Sequence, residues 1–227
     1  MKKIVVLTGA GMSAESGLKT FRDSDGLWEN HNVYDVATPE AWERDPEMVL
    51  KFYNERRKQV RDAKPNKAHV ALGKLEEKYD VHIITQNIDN LHERAGSTQV
   101  IHLHGEVNKA RSSIDSGLVY ELDHWEMKLG DLCEKGSQLR PHIVWFGESV
   151  PMIEKAIPIV EMADRVIVIG TSLAVYPAAG LLNYATSSSQ KYYIDPKGFE
   201  GDNHYPFVII KETAGVGVPR LVDQLLQ

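Results

Sequence analysis

Residues 4–16 read IVVLTGAGMSAES, a short apolar run followed by a glycine-rich turn. An apolar run that does not alternate with polar residues is typical of a parallel β-strand covered on both faces. The turn at residues 9–14 has the pattern G-x-G-x-x-G/A, in which glycines allow a nucleotide pyrophosphate to approach the backbone and the N-terminus of the next helix faces it. The stretch therefore predicts a nucleotide-binding α/β fold. A glycine-rich turn without a ligand is the alternative that this pattern alone leaves open.

Further β-rich runs alternate with helical patterns along the rest of the chain. Val70, Leu72 and Leu75 have roughly helical spacing within 66–79, and similar patterns cover 151–163 and 216–226. This alternation predicts an α/β fold with a Rossmann-like, doubly wound parallel sheet. The further strands are predicted at residues 81–85, 100–104, 142–146, 165–169, 192–195 and 207–211.

Two stretches interrupt the alternation. Residues 28–65 hold two helical patterns and no predicted strand, and residues 108–141 are polar, irregular and rich in Ser, Asp and Gly. We expect one domain in which these insertions build a smaller lobe. The Rossmann-like lobe would then comprise about 1–27, 66–107 and 142–227, and the small lobe about 28–65 and 108–141.

Composition narrows the classes of partner and compartment. The formal net charge of the 227 residues is -6, so no overall basic field favours direct binding of nucleic acid. Cys133 is the single cysteine, which excludes an intramolecular disulfide and suits a reducing compartment. No apolar stretch approaches the roughly 18 residues that a membrane span needs. We therefore expect a cytoplasmic protein that does not enter the membrane.

The segment after the glycine turn argues against a dehydrogenase. In dehydrogenases an acidic residue that binds the ribose lies about 20 residues further on, at the end of a second strand. Here residues 20–28 read TFRDSDGLW, a polar and glycine-containing loop instead of an apolar strand. The segment suits a flap over a ligand, and ordinary hydride transfer is disfavoured.

Five motif-like segments occur in order along the chain: GAGMSAESGLKTFRDSDGLWE (9–29), TQNIDNLHERAGS (85–97), HLHGEV (102–107), LRPHIVWFGE (139–148) and GTSLAVYPAAGL (170–181). Together they resemble the signature segments of sirtuins, the NAD-dependent protein deacylases. Asn90 is the one small departure, since the family commonly has Gly there and both residues tolerate a left-handed backbone.

The resemblance implies a reaction and a catalytic base. The acyl group would pass from lysine to the ADP-ribose part of NAD, which gives free lysine, nicotinamide and O-acyl-ADP-ribose. His104 would remove a proton from a ribose hydroxyl, and a neutral imidazole can accept one near pH 7. His102 and His104 lie two apart, so they would share one face of a strand, but only His104 precedes a glycine at the expected strand end. Asn87 and Asp89 would hold the nicotinamide end of NAD, although capping of a helix is their ordinary alternative role.

The same resemblance assigns the rest of the NAD site. Ser13 and Arg22 would contact phosphates and ribose, and Phe21 would shield the reacting carbon. The cofactor-binding residues implied in this way are Gly9, Ala10, Gly11, Ser13, Ala14, Phe21, Arg22, Trp28, Gln86, Asn87, Ile88, Asp89, Gly170, Thr171 and Ser172.

The implied protein substrate is an acyl-lysine peptide bound as an extended strand between segments 144–148 and 173–176. Tyr53 and Arg56 lie three apart on a predicted helix over 47–63, so they face the same way. The pair resembles that of the sirtuin branch that removes succinyl and malonyl groups, and a guanidinium with a hydroxyl suits a carboxylate tail. A solvated helix face is the ordinary alternative, and Arg57 would point about 100° away. The substrate residues are thus Tyr53, Arg56, Val144, Phe146, Gly147 and Val175.

The second insertion lacks the four cysteines with which most sirtuins bind a structural zinc. Serines occupy the region of the first pair, and Cys133 alone remains of the second. One thiolate cannot supply the ligands of a structural zinc site, so we expect no metal.

Two other functions remain open from the sequence. An NAD-dependent protein ADP-ribosyltransferase would share the cofactor and the first bond that is broken. A non-catalytic sensor of NAD or ADP-ribose would need no base at His104.

Overall fold

The computed structural model describes residues 1–19, 27–28, 31–199 and 205–227, and for Leu27 and Trp28 it describes the backbone alone. The strands are β1 (Lys3–Thr8), β2 (Leu27–Trp28), β3 (His31–Asn32), β4 (Asp80–Thr85), β5 (Val100–His102), β6 (Gly105–Ser112), β7 (Val119–Glu121), β8 (Leu139–Ile143), β9 (Arg165–Ile169), β10 (Gln190–Ile194) and β11 (Phe207–Ile210). The α-helices are α1 (Val33–Val36), α2 (Pro39–Arg44), α3 (Pro46–Asp62), α4 (Lys67–Leu75), α5 (Leu91–Arg94), α6 (Met152–Glu161) and α7 (Ala214–Leu226). Short 3-10 helices cover Ala10–Met12, Ala14–Ser16 and Ala178–Tyr184.

Six parallel strands form the main sheet, in the order β11-β10-β9-β1-β4-β5. The chain runs outward from β1 through β4 to β5, and then returns to add β9, β10 and β11 on the other side. The predicted doubly wound α/β fold is therefore confirmed. Its direction reverses between β1 and β9, and ligands of such sheets bind where the carboxyl ends of those strands diverge.

Both faces of the main sheet are covered, as the unbroken apolar run of β1 predicts. Ile4 and Val6 belong to a core cluster that includes residues of α4 and α7. Val5 and Leu7 belong to a second cluster, which includes residues of α6 and of the Ala178–Tyr184 helix. Alternate side chains of one strand thus enter opposite layers of the core.

The glycine turn is followed within residues 9–19 by short 3-10 turns and not by an α-helix, so the helix N-terminus expected to face the pyrophosphate is not found there. In residues 9–19, two three-residue 3-10 turns follow the strand, and the second ends at Gly17 with φ 87°. A left-handed residue at this point ends the helical path. Backbone N–H groups of this compact turn, instead of a helix N-terminus, lie at the carboxyl end of β1.

A separate three-stranded antiparallel sheet, in the order β7-β6-β8, packs with α1–α3 into a smaller lobe. The strand predicted at 142–146 is wrong in position, because β8 ends at Ile143 and pairs with β6. Its apolar residues are buried against the small lobe: Ile143 and Trp145 join the cluster of Tyr53 and Val107. The polar segment 108–141, expected to be irregular, supplies most of this sheet.

Side-chain caps begin the helices that lead to the site. Asp45 accepts from the backbone N–H of Met48 at 2.9 Å and precedes Pro46, a favoured first-turn residue, so α3 starts there. Asn66 caps α4 and also donates to the carbonyl of Met12 at 2.8 Å. In the parts of the chain that the structure describes, none of the helices combines the length and apolar character needed to cross a membrane.

Candidate active site

A cavity of about 500 Å³ lies at the carboxyl ends of β1, β4, β9 and β10 and continues under the small lobe. Every predicted site residue whose side chain the structure describes borders this cavity. They are Gly9, Ala10, Gly11, Ser13, Ala14, Tyr53, Arg56, Gln86, Asn87, Ile88, Asp89, His104, Val144, Phe146, Gly147, Gly170, Thr171, Ser172 and Val175. Phe21 and Arg22, and the side chain of Trp28, lie outside the described residues.

Two glycine-containing turns meet on one wall of the cavity. The N–H of Gly11 donates to the carbonyl of Gly170 at 2.9 Å, and that of Gly9 donates to Ile169 at 3.0 Å. A Cβ on Gly11 would lie 2.7 Å from the Cα of Gly170. The glycines therefore allow the ends of β1 and β9 to pack directly together, which brings their backbones to the same edge of the cavity.

Ser13 joins the two polar residues expected at the nicotinamide end. Its hydroxyl donates to Asp89 Oδ2 at 3.0 Å and accepts from Asn87 Nδ2 at 3.2 Å. Burial raises the pKa of Asp89, and this is opposed by hydrogen bonds from the Leu91 N–H and from Ser13. Three side chains from the ends of β1 and β4 are thereby held in fixed positions.

His104 follows β5 and borders the cavity, and its ring has a defined hydrogen-bond partner. Nδ1 lies 3.1 Å from the carbonyl oxygen of Gln86. Since a carbonyl can only accept, Nδ1 carries the proton of the neutral ring, and Nε2 keeps its lone pair. Burial lowers the pKa of His104, and the Gln86 carbonyl partly opposes this change. The ring therefore has the tautomer and the charge state of a general base at neutral pH.

His102 has a different role from its neighbour. Its Nδ1 lies 3.0 Å from the Asn87 carbonyl, and its Nε2 lies 2.7 Å from Glu93 Oε1. Burial opposes the charged ring, but the bond and charge of Glu93 outweigh it and raise the pKa of His102. His102 thus supports the Asn87 backbone from behind, whereas His104 faces the cavity.

Tyr53 and Arg56 lie on the same face of α3 and border the part of the cavity under the small lobe. Tyr53 is fully buried and Arg56 is 5% exposed. The Tyr53 oxygen accepts from Trp145 Nε1 at 3.1 Å, and Arg56 Nη1 donates to Gln59 Oε1 at 2.8 Å. Arg57 instead turns away and donates to the carbonyls of Val107 and Trp125.

The mouth of the cavity carries the segments expected to hold a peptide. Val144 donates its backbone N–H to the carbonyl of His104 at 3.0 Å, so this wall begins beside the histidine. Phe146 belongs to segment 144–148 and Val175 to segment 173–176, and their exposed fractions are 47% and 39%. Exposed apolar side chains at a cavity mouth suit contact with a second molecule.

Comparisons with known proteins agree with this arrangement. The model of the Sir2 family matches residues 9–177, well over half of the chain. The chain belongs to the Sir2 family. An NAD-dependent protein deacylase of Helicobacter pylori strain 26695 is 52% identical over 229 residues, with 100% of this chain and 99% of the relative covered. An NAD-dependent protein deacylase of Bacteroides thetaiotaomicron is 52% identical over 231 residues, with the same two coverages.

A solved structure described as a Sir2 homolog-NAD complex is also similar to this chain. Its TM-score is 0.90 at 40% sequence identity, and the match covers 99% of this chain and 90% of that one.

The polar groups at the cavity fit the NAD that is characteristic of Sir2 enzymes. Two turns built mainly of glycine, at Gly9–Gly11 and at Gly170, leave backbone at the cavity wall, as a pyrophosphate requires. Gln86 Nε2 donates to Thr171 Oγ1 at 3.1 Å, which joins this wall to the one that carries Asn87 and Asp89. Polar groups therefore line the cavity from the glycine turns to His104.

Zinc, in contrast, does not fit the position where other Sir2 proteins carry cysteines. Cys133 Sγ lies 3.4 Å from Ser112 Oγ and 3.2 Å from Ser137 Oγ, and the two hydroxyls are 2.8 Å apart. One thiol and two hydroxyls are not a zinc-binding set. The three side chains instead form a small hydrogen-bonded cluster.

Several residues of this Sir2 cavity were not predicted from the sequence. Trp145 lies within an expected wall segment but was given no role, and Asp195 and Lys197 border the cavity just after β10. The position of Asp195 directly after an apolar strand was an available signal. For Trp145 no sequence signal existed, since its contact with Tyr53 joins residues 92 positions apart.

Proposed function

We infer that this chain is an NAD-dependent protein-lysine deacylase. Full-length relatives at 52% identity carry the name NAD-dependent protein deacylase. The observation that carries the inference is the bond between His104 Nδ1 and the Gln86 carbonyl, because it directs a basic nitrogen into the cavity. A binding protein without catalytic activity has no need of such a base.

NAD, when bound, supplies the ribose to which the acyl group is transferred and the nicotinamide that leaves. In our proposal the Gly9–Gly11 turn and Gly170–Ser172 hold its phosphates, while Asn87 and Asp89 hold its nicotinamide end. Ser13 fixes these two side chains relative to each other. His104 Nε2 accepts a proton from the ribose hydroxyl, and burial keeps the ring neutral for that purpose.

We further propose that the enzyme removes succinyl and malonyl groups besides acetyl. The apolar residues Val60 and Ile143 border the same cavity as Tyr53 and Arg56, and Arg56 is 5% exposed. A guanidinium in low-dielectric surroundings attracts a carboxylate more strongly than one in water does. Burial raises the pKa of Tyr53 well above its ordinary value, so its hydroxyl stays protonated and can donate.

The protein substrate would lie between Phe146–Gly147 and Val175 as an added strand. Main-chain hydrogen bonds would supply most of the affinity, so sequence preference around the lysine would be weak. The acyl-lysine would then pass between the two walls towards His104.

The decisive experiment uses one peptide in acetyl-, succinyl- and malonyl-lysine forms, with NAD and mass spectrometry of all products. Wild-type protein is expected to remove each group with equimolar O-acyl-ADP-ribose, and His104→Ala is expected to lose at least about 100-fold in rate. His124→Ala is the matched control, since His124 is exposed on the small lobe. ADP-ribosylated peptide in place of O-acyl-ADP-ribose would establish the transferase activity instead, and NAD binding without any nicotinamide release would establish a sensor.

The acyl preference has its own variant. Arg56→Met is expected to lower turnover of the succinyl peptide by 10-fold or more, about the effect of losing a charged hydrogen bond, and to leave the acetyl peptide within about twofold. Lys51→Met, on an exposed position of the same helix, is the control. Unchanged succinyl turnover in Arg56→Met would remove the acidic-acyl proposal and leave the deacylase in place.

A further inference from the structure

Trp145 borders the same part of the cavity as Tyr53 and Arg56, and it contacts Tyr53 through its one polar atom. The indole Nε1 donates to the Tyr53 oxygen at 3.1 Å, and the side chains are 2% and 0% exposed. An indole N–H can only donate, so the direction of this bond is fixed. The Tyr53 oxygen accepts from Trp145, and the hydroxyl hydrogen must therefore point in another direction.

We propose that Trp145 is a positioning residue for acyl-group selection, which holds the Tyr53 hydroxyl as a donor to an acidic acyl tail. This inference rests on the proposed desuccinylase and demalonylase activity. Trp145 itself would act on the tail only through Tyr53. Acetyl-lysine carries no carboxylate at that point, so its removal should not depend on this bond.

The Trp145 ring is held firmly enough to perform this role. The guanidinium carbon of Arg140 lies 3.3 Å from the centre of the ring, in a cation–π contact. Glu148 Oε2 accepts the backbone N–H of Trp145 at 2.8 Å, and Glu148 Oε1 accepts from Arg140 at 2.7 Å. Backbone and ring are thus fixed by the same ion pair, so Nε1 has little freedom to leave Tyr53.

The contact also joins two elements that come from distant parts of the chain. Tyr53 lies on α3, whereas Trp145 lies two residues after β8. The bond sets the position of the α3 hydroxyl relative to the wall on which the peptide is expected to lie. Packing alone would need only a large ring at position 145, but a buried N–H also needs an acceptor, and Tyr53 supplies it.

The test is a double-mutant cycle of wild type, Trp145→Phe, Tyr53→Phe and the double variant, with kcat and KM measured on acetyl and succinyl forms of one peptide. Trp145→Phe is expected to lower kcat/KM for the succinyl form by about 10-fold, mainly through KM, with the acetyl form within about twofold. Since Trp145 acts through Tyr53, the double variant should be no worse than Tyr53→Phe alone. Equal losses on both peptides, or losses that multiply in the double variant, would show a packing role and overturn the inference.

Replacement of Trp145 by 2-naphthylalanine separates the N–H from the volume of the ring. This side chain keeps two fused rings and lacks the donor, so it should reproduce the succinyl-specific loss without loss of stability to urea. Suppose that Tyr53→Phe and Arg56→Met lose succinyl turnover but the 2-naphthylalanine variant keeps it in full. The proposed role of Trp145 is then contradicted, whereas the acidic-acyl proposal stands. If those two variants also keep it, the acidic-acyl proposal itself fails.

Discussion

His104 borders the cavity and its Nδ1 is hydrogen-bonded to the Gln86 carbonyl, which makes its protonation state the first quantity to measure. Burial lowers the pKa of His104 from its ordinary value of 6.5. A base is active when neutral, so kcat should rise with pH along a limb that lies below pH 6.5 and should be level at pH 7. The measurement is kcat between pH 5 and pH 8 at saturating NAD and acetyl peptide. A limb centred above pH 7 would contradict this environment for His104.

His69 and His92 form a second pair of histidines, buried below the site. Their rings lie 4.9 Å apart, and His92 Nε2 is 3.2 Å from the Thr8 hydroxyl. Burial lowers the pKa of His69 to about 4 and lowers that of His92 as well. Both rings are therefore neutral in the folded protein at pH 7.

The His69 pKa predicts a loss of stability in acid. Its folded-state pKa of about 4 lies below the ordinary 6.5, so the unfolded chain binds more protons between these values. The stability due to neutral His69 is fully present above about pH 6.5 and is lost as the pH falls towards 4, by on the order of 3 kcal/mol. In urea titrations, the unfolding free energy of wild type minus that of His69→Leu should become smaller as the pH falls from 6.5 towards 4. A difference that is constant with pH would be the contrary result, and His124→Leu is the exposed control.

One face of α3 holds the polar segment 123–127 in place within the small lobe. Asn54, Arg57 and Arg61 follow the helical repeat, and all three donate to backbone carbonyls of segment 123–127. Arg57 also donates to the Val107 carbonyl at 2.6 Å, and burial lowers the pKa of Arg57 to about 10. These side-chain bonds hold a polar segment that has little apolar surface to bury.

Arg57 should be the most costly member of this set to remove. Arg57→Met leaves the buried carbonyls of Val107 and Trp125 without their donor, and we expect a loss of about 3 kcal/mol in urea denaturation. Arg61→Met is the control, because Arg61 is exposed and should cost less than about 1 kcal/mol. Faster proteolysis within residues 113–130 of Arg57→Met would locate the defect. Equal, small losses in both variants would show that packing alone holds the lobe.

Removal of metal ions should have no effect on the small lobe. Since Ser112, Cys133 and Ser137 bond to one another, the turn before β8 does not need an ion to hold it. Dialysis against a chelator should leave Tm and deacylase activity unchanged, and Cys133→Ser should behave in the same way. Stoichiometric zinc by elemental analysis, with a fall in Tm on its removal, would overturn this prediction.

For the whole molecule, the sequence predicted the main sheet and the neighbourhood of the site better than it predicted the insertions. Unbroken apolar strands need cover on both faces, which a parallel sheet between two layers of helices provides, and the carboxyl ends of its strands meet at one edge. Gln86, His104 and Gly170 therefore border one cavity although they are far apart in sequence. The roles of these residues remain predictions that the kinetic experiments test.

The insertions were harder to predict because their stability comes from contacts that leave no periodic pattern. Segment 108–141 is a small sheet held by Arg57 and Asn54, and it reads as an irregular polar stretch. Residues 142–146 were predicted to form a strand of the main sheet because they are apolar. Ile143 and Trp145 are instead buried against residues of the small lobe. The glycine pattern correctly predicted a turn, but the helix predicted after it is wrong, because the 3-10 turns that follow β1 end at Gly17.

Gly11 shows how closely the two halves of the sheet depend on one another. A Cβ at Gly11 would lie 2.7 Å from Gly170 Cα, and backbone cannot move aside as a side chain can. Gly11→Ala should therefore separate the ends of β1 and β9, lower the unfolding free energy and reduce the rise in Tm that NAD causes. For the wild type, NAD at 100 times Kd should add about 2.7 kcal/mol to stability.

Gly180→Ala provides the comparison, because a Cβ there would lie 3.6 Å from the Tyr176 ring, an ordinary contact. It should keep both the stability, within about 1 kcal/mol, and the full NAD-induced rise in Tm. The comparison separates two roles for the glycine turn. If Gly11→Ala loses stability but keeps the NAD effect, the glycine serves packing alone; if it loses both, the contact between the halves of the sheet is also what shapes the cofactor site. Unchanged stability would show that the two turns can move apart without cost.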